Sequence, residues 1–107
     1  MEITTKELRK KIKNGDKVII DFYGTFCSPC KVMKPMFEEA GQVTKNNGLP
    51  VELFTFNIDN DREYIAELGL RSVPTIKGFS NGKEIFSEVG VKQTNTILEL
   101  VNNLNEI

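Results

Sequence analysis

Val18-Ile19-Ile20-Asp21-Phe22-Tyr23-Gly24-Thr25-Phe26-Cys27-Ser28-Pro29-Cys30 is the stretch from which the rest of the chain is read. Its first six residues are apolar around one acid, the mark of a strand covered on both faces, and the strand is predicted over Lys17 to Tyr23. After Gly24-Thr25-Phe26, Ser28 is placed to act as N-cap with Pro29 at the first helical position, and Lys31 to Lys45 continues as a helix. The chain's only two cysteines are thereby delivered onto a helix N-terminus. There, backbone N–H groups and the helix dipole stabilise a thiolate, and a second thiol one turn on can resolve a mixed disulfide within the same molecule. The chemistry indicated is dithiol–disulfide exchange.

Two other uses of Cys27 and Cys30 compete with it. A purely stabilising disulfide would close a very short loop, where the chain-entropy model yields only about 2 kcal/mol. A metal site needs about four ligands; the chain has no histidine, so two sulfurs supply half, and only a zinc or iron–sulfur site shared between two copies would be complete. Fourteen basic against fifteen acidic residues leave a net charge of −1, which favours neither nucleic acid nor a membrane surface. No apolar run approaches about eighteen residues, and Met1-Glu2-Ile3-Thr4-Thr5-Lys6 lacks the apolar stretch of a signal peptide. The expected compartment is a reducing cytoplasm, where a Cys-x-x-Cys pair is catalytic or metal-binding rather than structural. With 107 residues and no linker or repeat, the expectation is one domain over residues 1–107, and a monomer by default.

Outward from the motif, the remaining elements follow from local signals. Ile3 is assigned to a short first strand. Thr4 and Glu7 have capping-box spacing, and Leu8 with Ile12 gives the first helix an apolar stripe up to Asn14-Gly15. Pro35 is expected to kink the second helix, which closes at Asn46-Asn47-Gly48. Val51 to Ile58 reads as the next strand, and Asp61 to Leu68 as a short helix stopped by Gly69. Thr75 to Phe79 and Lys83 to Val89 flank the hairpin signal Ser80-Asn81-Gly82. Ile97, Leu100, Val101 and Leu104 form one face of a last helix, with Thr94 as its cap. The order β-α-β-α-β-α-β-β-α describes an α/β fold with a parallel portion, helices on both faces and an antiparallel edge from the hairpin.

Nearly the whole chain resembles the thioredoxin family. The matching residues are Asp21 through Lys31, Pro35, Asn57-Ile58-Asp59, Val73-Pro74-Thr75, Asn81-Gly82 and Gly90. A bare Cys-x-x-Cys is a weak signal; the acid six residues before it, the Val-Pro-Thr downstream and the Asn-Gly hairpin make the pattern specific. The resemblance implies a thioredoxin fold, with a central mixed sheet flanked by helices. It implies a dithiol–disulfide oxidoreductase that reduces protein disulfides, needs no cofactor or metal beyond its own Cys27–Cys30 disulfide, and is recharged by a thioredoxin reductase. By position, Cys27 would be the exposed attacking thiol, Cys30 the resolving thiol under the second helix, and Asp21 an acid buried beneath both. Pro74 would be a cis proline against the disulfide, with Val73 offering backbone groups to an extended substrate segment. Gly90 would leave room at the rim, and Tyr23 and Phe26 would line the surface around Cys27. Ser28 and Pro29 complete the expected substrate surface.

Elementary chemistry supports the role of Asp21. Cys30 must lose a proton to release product, no histidine is present, and burial raises a carboxyl's pKa towards neutrality. The competing reading has Asp21 pointing to solvent at a sheet edge. Lys31 and Lys34 either favour the thiolate or simply form a solvated helix face. Departures from the family pattern are Phe26 for its tryptophan, Ser28 for its glycine, Thr55 where many relatives carry a lysine near the buried acid, and Lys77-Gly78 within an otherwise apolar strand. The Ser28 hydroxyl is expected to donate to the Cys27 thiolate. A second function class, a thioredoxin-fold accessory subunit docking through Phe26, Val73, Pro74 and Gly90 as some members do on a viral polymerase, would not depend on the cysteines. Glutathione chemistry of the glutaredoxin kind fits less well, because those domains usually carry the motif nearer the N-terminus.

Overall fold

Strand β1 (Val18–Tyr23) is the element against which both cores are built. The computed structural model describes every residue from Met1 to Ile107. Val18, Ile20 and Phe22 project to one side, where they meet Leu8 of helix α1 (Thr5–Lys13) and Tyr64 and Ile65 of helix α3 (Arg62–Glu67). Ile19 projects to the other, onto Met33, Phe37 and Ala40 of helix α2 (Ser28–Asn46) and Ile97, Val101 and Leu104 of helix α4 (Thr94–Asn105). With a side-chain period of two, Asp21 falls on the α2 side. It is the one acid in a strand otherwise filled with apolar side chains.

The sheet is mixed, in the order β2-β1-β3-β4, with β2 at Glu52–Asn57, β3 at Thr75–Ser80 and β4 at Lys83–Val89. Strands β1 and β2 are parallel; β3 is antiparallel to both β1 and β4. The antiparallel portion is therefore larger than the hairpin edge expected from the sequence. The reason is length: α3 has six residues, rising about 9 Å, too little to carry the chain back along a six-residue strand of about 20 Å. The chain re-enters the sheet at the end where it left, with Thr75 opposite Phe22. That return places the loop before β3 beside the segment that follows β1.

The expected first strand contracts to one parallel bridge between Glu2 and Thr55, with Ile3 N–H donating to the Thr55 carbonyl and Thr55 N–H to the Met1 carbonyl, both at 2.9 Å. A 3-10 turn over Ile58–Asn60, unforeseen in the sequence, links β2 to α3. The Thr4–Glu7 capping box is present, and α2 runs unbroken through Pro35. Two caps differ from expectation. Gln93 rather than Thr94 caps α4, without a side-chain bond, while Thr94 begins the helix and its hydroxyl faces the Met36 carbonyl at 3.5 Å. Cys27 rather than Ser28 caps α2, so Ser28 is the first helical residue and Pro29 the second.

Lys77-Gly78 also has a physical account. The β3–β4 register shifts between Gly78 and Phe79, and the Phe86 ring lies over Gly78 so closely that a Cβ would fall within it. Lys77 is buried, and its ammonium donates to Glu84 Oε1 at 2.8 Å and Ser87 Oγ at 3.3 Å. In the hairpin, Asn81 and Gly82 both take positive φ, 54° and 80°, as a two-residue turn between twisted strands requires.

Candidate active site

The end of β1 runs through Gly24-Thr25-Phe26 into the start of α2. Cys27 has extended backbone (φ −126°, ψ 102°), which starts the helix one residue earlier than a Ser28 cap would and turns its sulfur over the first turn. Its Sγ accepts the Cys30 N–H at 3.2 Å, and the two sulfurs are joined in a disulfide with Cα atoms 5.3 Å apart. In this oxidised form Cys27 is not the open thiol that the resemblance implied. It keeps 9% of its surface and Cys30 keeps 4%. Phe26, by contrast, is 97% exposed. Ser28 and Pro29 lie exposed on the first turn of α2, and the Ser28 hydroxyl makes no hydrogen bond.

Two other loops frame the cysteines. Asn57 Nδ2 donates to Thr25 Oγ1 at 3.0 Å, and Thr25 N–H points at Asp59 Oδ2 at 3.4 Å, so Asn57-Ile58-Asp59 braces the approach to Cys27. The hydrogen bonds from Thr25, with Arg62 adding to them, hold the Asp59 carboxyl below its usual range. On the other side, a Cβ added at Gly24 would stand 3.6 Å from Val73 Cγ2 and 3.7 Å from Cys27 Cβ, so Val73 and Cys27 both border Gly24. The Val73–Pro74 peptide is cis, Pro74 is buried, and its carbonyl accepts the Gly90 N–H at 2.9 Å. Gly90 has φ +95°, a conformation that strongly favours glycine, and open space where a Cβ would stand. Val73 lies outside every element, and neither its N–H nor its carbonyl takes part in a backbone hydrogen bond.

Asp21 lies behind the disulfide. It is 2% exposed, and its Oδ1 has no hydrogen-bond partner. Burial, reinforced by the negative charge of Glu2, pushes its carboxyl up to about 7. A cavity of about 380 Å³ brings Asp21 together with Cys30, Tyr23, Lys31, Lys34 and Glu2. Thr55 sits directly across from Asp21 in the β1–β2 register, and its hydroxyl donates to Glu2 Oε1 at 2.9 Å. Tyr23 belongs to this cavity rather than to the outer surface around Cys27: its phenol donates to Glu2 Oε1 at 2.9 Å. Lys31 and Lys34 are both exposed, as a solvated helix face would be, and both line the cavity beside Cys30. No group of three or more Cys, Asp or Glu side chains is placed to hold a metal ion.

Glu2 and the Thr25 brace are the site residues that sequence reasoning missed. The Asn57-Ile58-Asp59 run carried a signal for the brace, since it belongs to the family pattern, but not its partner. Nothing local marked Glu2, whose position depends on a contact with Thr55, 53 residues away.

The comparisons agree with this geometry. The family model described as Thioredoxin matches residues 1–103. A thioredoxin of Rickettsia bellii is 33% identical over 102 residues, covering 94% of each chain. Among solved structures, chloroplastic thioredoxin z superposes with a TM-score of 0.84 at 19% identity, over 99% of this chain and 94% of that one. The oxidised mitochondrial thioredoxin 3 of Saccharomyces cerevisiae gives 0.76 at 27% identity, over 95% and 89%. A pattern first visible around Cys27 thus extends through the whole sheet and both helical layers: the chain belongs to the thioredoxin family and is a thiol–disulfide oxidoreductase.

Proposed function

We propose that the protein reduces disulfides of other proteins, with Cys27 as the attacking thiol, Cys30 as the resolving thiol and Asp21 as the base serving Cys30. The observation that carries this is the division across the start of α2. Cys27 Sγ receives the Cys30 N–H at the cap of α2 and is not part of the cavity lining, whereas Cys30 lines the cavity it shares with Asp21. In the reduced chain, that N–H and the dipole of a 19-residue helix favour thiolate at Cys27.

The thiolate attacks one substrate sulfur, and the other leaves as a thiolate that takes a proton from solvent. Cys30 then passes its proton to Asp21 and attacks Cys27 Sγ, expelling the second substrate sulfur, which receives the proton back from Asp21. The chain loses two electrons to form the Cys27–Cys30 disulfide, and the substrate gains two electrons and two protons. A carboxyl poised near 7 both accepts and returns a proton at neutral pH. Phe26, Ser28 and Pro29 form one wall of the substrate groove, and Val73, Pro74 and Gly90 the other. The unused N–H and carbonyl of Val73 are suited to an extended substrate segment.

Family membership supports a thioredoxin reductase as electron donor and the cytoplasm as compartment, with the chain acting as one domain and one copy. No helix is long and apolar enough to cross a membrane. The test is trapping: reduced Cys30→Ser mixed with a disulfide-bearing protein gives a dithiothreitol-reversible adduct through Cys27, and Cys27→Ser gives none. An adduct that forms with Cys27→Ser, or none with Cys30→Ser, contradicts the assignment.

A further inference from the structure

Glu2 is fixed from two strands. The Tyr23 and Thr55 hydroxyls donate to its Oε1 and the Asn57 N–H donates to its Oε2, each at 2.9 Å. Its backbone is pinned as well, through the bridge to Thr55. The anchors are set by the register of the site itself. Tyr23 lies two residues beyond Asp21 on the same strand, and Thr55 is the cross-strand partner of Asp21. All three side chains project to one side of the sheet. The Glu2 carboxylate is therefore held on the wall of the cavity that contains Asp21 and Cys30.

The other charged or titratable groups facing this cavity are Met1 from the N-terminal segment, Tyr23 from β1, and Lys31, Lys34 and Glu38 from α2; β3 places Ile76 opposite Asp21. Burial, with the Glu2 carboxylate accepting its hydrogen bond, pushes the Tyr23 phenol up to about 12, so it remains an O–H donor at neutral pH. Lys31, Lys34 and Glu38 have no side-chain hydrogen bond or ion pair to hold them. Glu2 is thus the one charged side chain of the cavity fixed in place. Thr55 supplies a hydroxyl that anchors this anion and brings no opposing positive charge.

We propose that Glu2 is a positioning residue for the proton transfer at Asp21: its pinned carboxylate keeps a negative charge beside the buried acid and so governs when Asp21 takes up and returns the Cys30 proton. The proposal deepens the reading of Asp21 as the base and rests on it. Glu2 is itself exposed, so solvent and salt weaken its influence without removing it.

The experiment is carboxyl-carbon NMR titration of Asp21 in the oxidised protein, in the native chain, Glu2→Gln and Glu2→Asp, with the pH profile of the release step measured alongside. Glu2→Gln keeps an acceptor oxygen for the Tyr23 and Thr55 hydroxyls but removes the charge and the acceptor of the Asn57 N–H. Its Asp21 titration is expected to move to lower pH by about half a pH unit, less at high salt. The acidic limb of the release step is expected to follow, which makes the step about threefold faster well below the midpoint. Glu2→Asp, which keeps the charge, restores most of the native titration. An Asp21 titration unmoved in Glu2→Gln overturns the proposal, as does the same displacement in both variants, which would mark Glu2 as a mere structural tie. A titration that moves while Asp21→Asn leaves the release profile unchanged refutes Asp21 as the base, with the coupling to Glu2 still supported.

Discussion

Asp21→Asn is expected to make the protein more stable at alkaline pH and to remove a slope from its pH–stability curve. An ordinary aspartate titrates near 3.8, whereas burial, with Glu2 adding to it, moves Asp21 to about 7 in the folded chain. Between those values the folded state binds a proton that the unfolded state has lost, so the group favours folding below about 4 and that contribution drains away as pH rises to 7. The interval is about three pH units at about 1.36 kcal/mol each, or about 4 kcal/mol between acid and alkaline limits. Asparagine does not titrate, and the cost of its own unpaired amide is the same at every pH. Urea unfolding of the oxidised native and variant proteins from pH 4 to 8.5 measures the difference directly. The variant's advantage should grow steadily to about pH 7 and level off beyond it. A difference that stays constant over the whole range would refute the claim that Asp21 carries a proton in the folded protein near neutrality.

Two further predictions concern the scaffold. Gly78→Ala drives a methyl into the Phe86 ring and should cost about 1–3 kcal/mol in urea unfolding; combining it with Phe86→Ala should cost less than the sum of the two changes. Thr4→Ala removes the hydroxyl that accepts the Glu7 N–H and should cost about 1 kcal/mol by the same assay, with Thr4→Ser retaining most of the stability.

What could be read in the sequence was local. Thr4 with Glu7, Asn81-Gly82, and the stripe Ile97, Leu100, Val101 and Leu104 each signal their structure within a few residues, and all three stand in the fold, with Leu100 the partly buried member of the stripe. The unbroken apolar run around Asp21 told of a strand covered on both faces, and Asp21 is buried as that implied. What stayed hidden depends on contacts between distant residues. The direction of β3 follows from how far α3 can reach, and the contraction of the first strand from how little of β2 it meets. The cap of α2 falls on Cys27 rather than Ser28, with the Cys27 sulfur accepting the Cys30 N–H. Lys77-Gly78 made sense only with Phe86 and Glu84 beside it, and Glu2 only with Thr55, Tyr23 and Asn57 around it.

The most direct test of the central claim is the reduction of insulin disulfides with dithiothreitol as electron source, followed for the native chain and for Cys27→Ser. The account predicts acceleration by the native chain that disappears in the variant, since Cys27 is the sulfur set at the helix N-terminus to attack. Acceleration that survives Cys27→Ser, or none by the native chain, would contradict it.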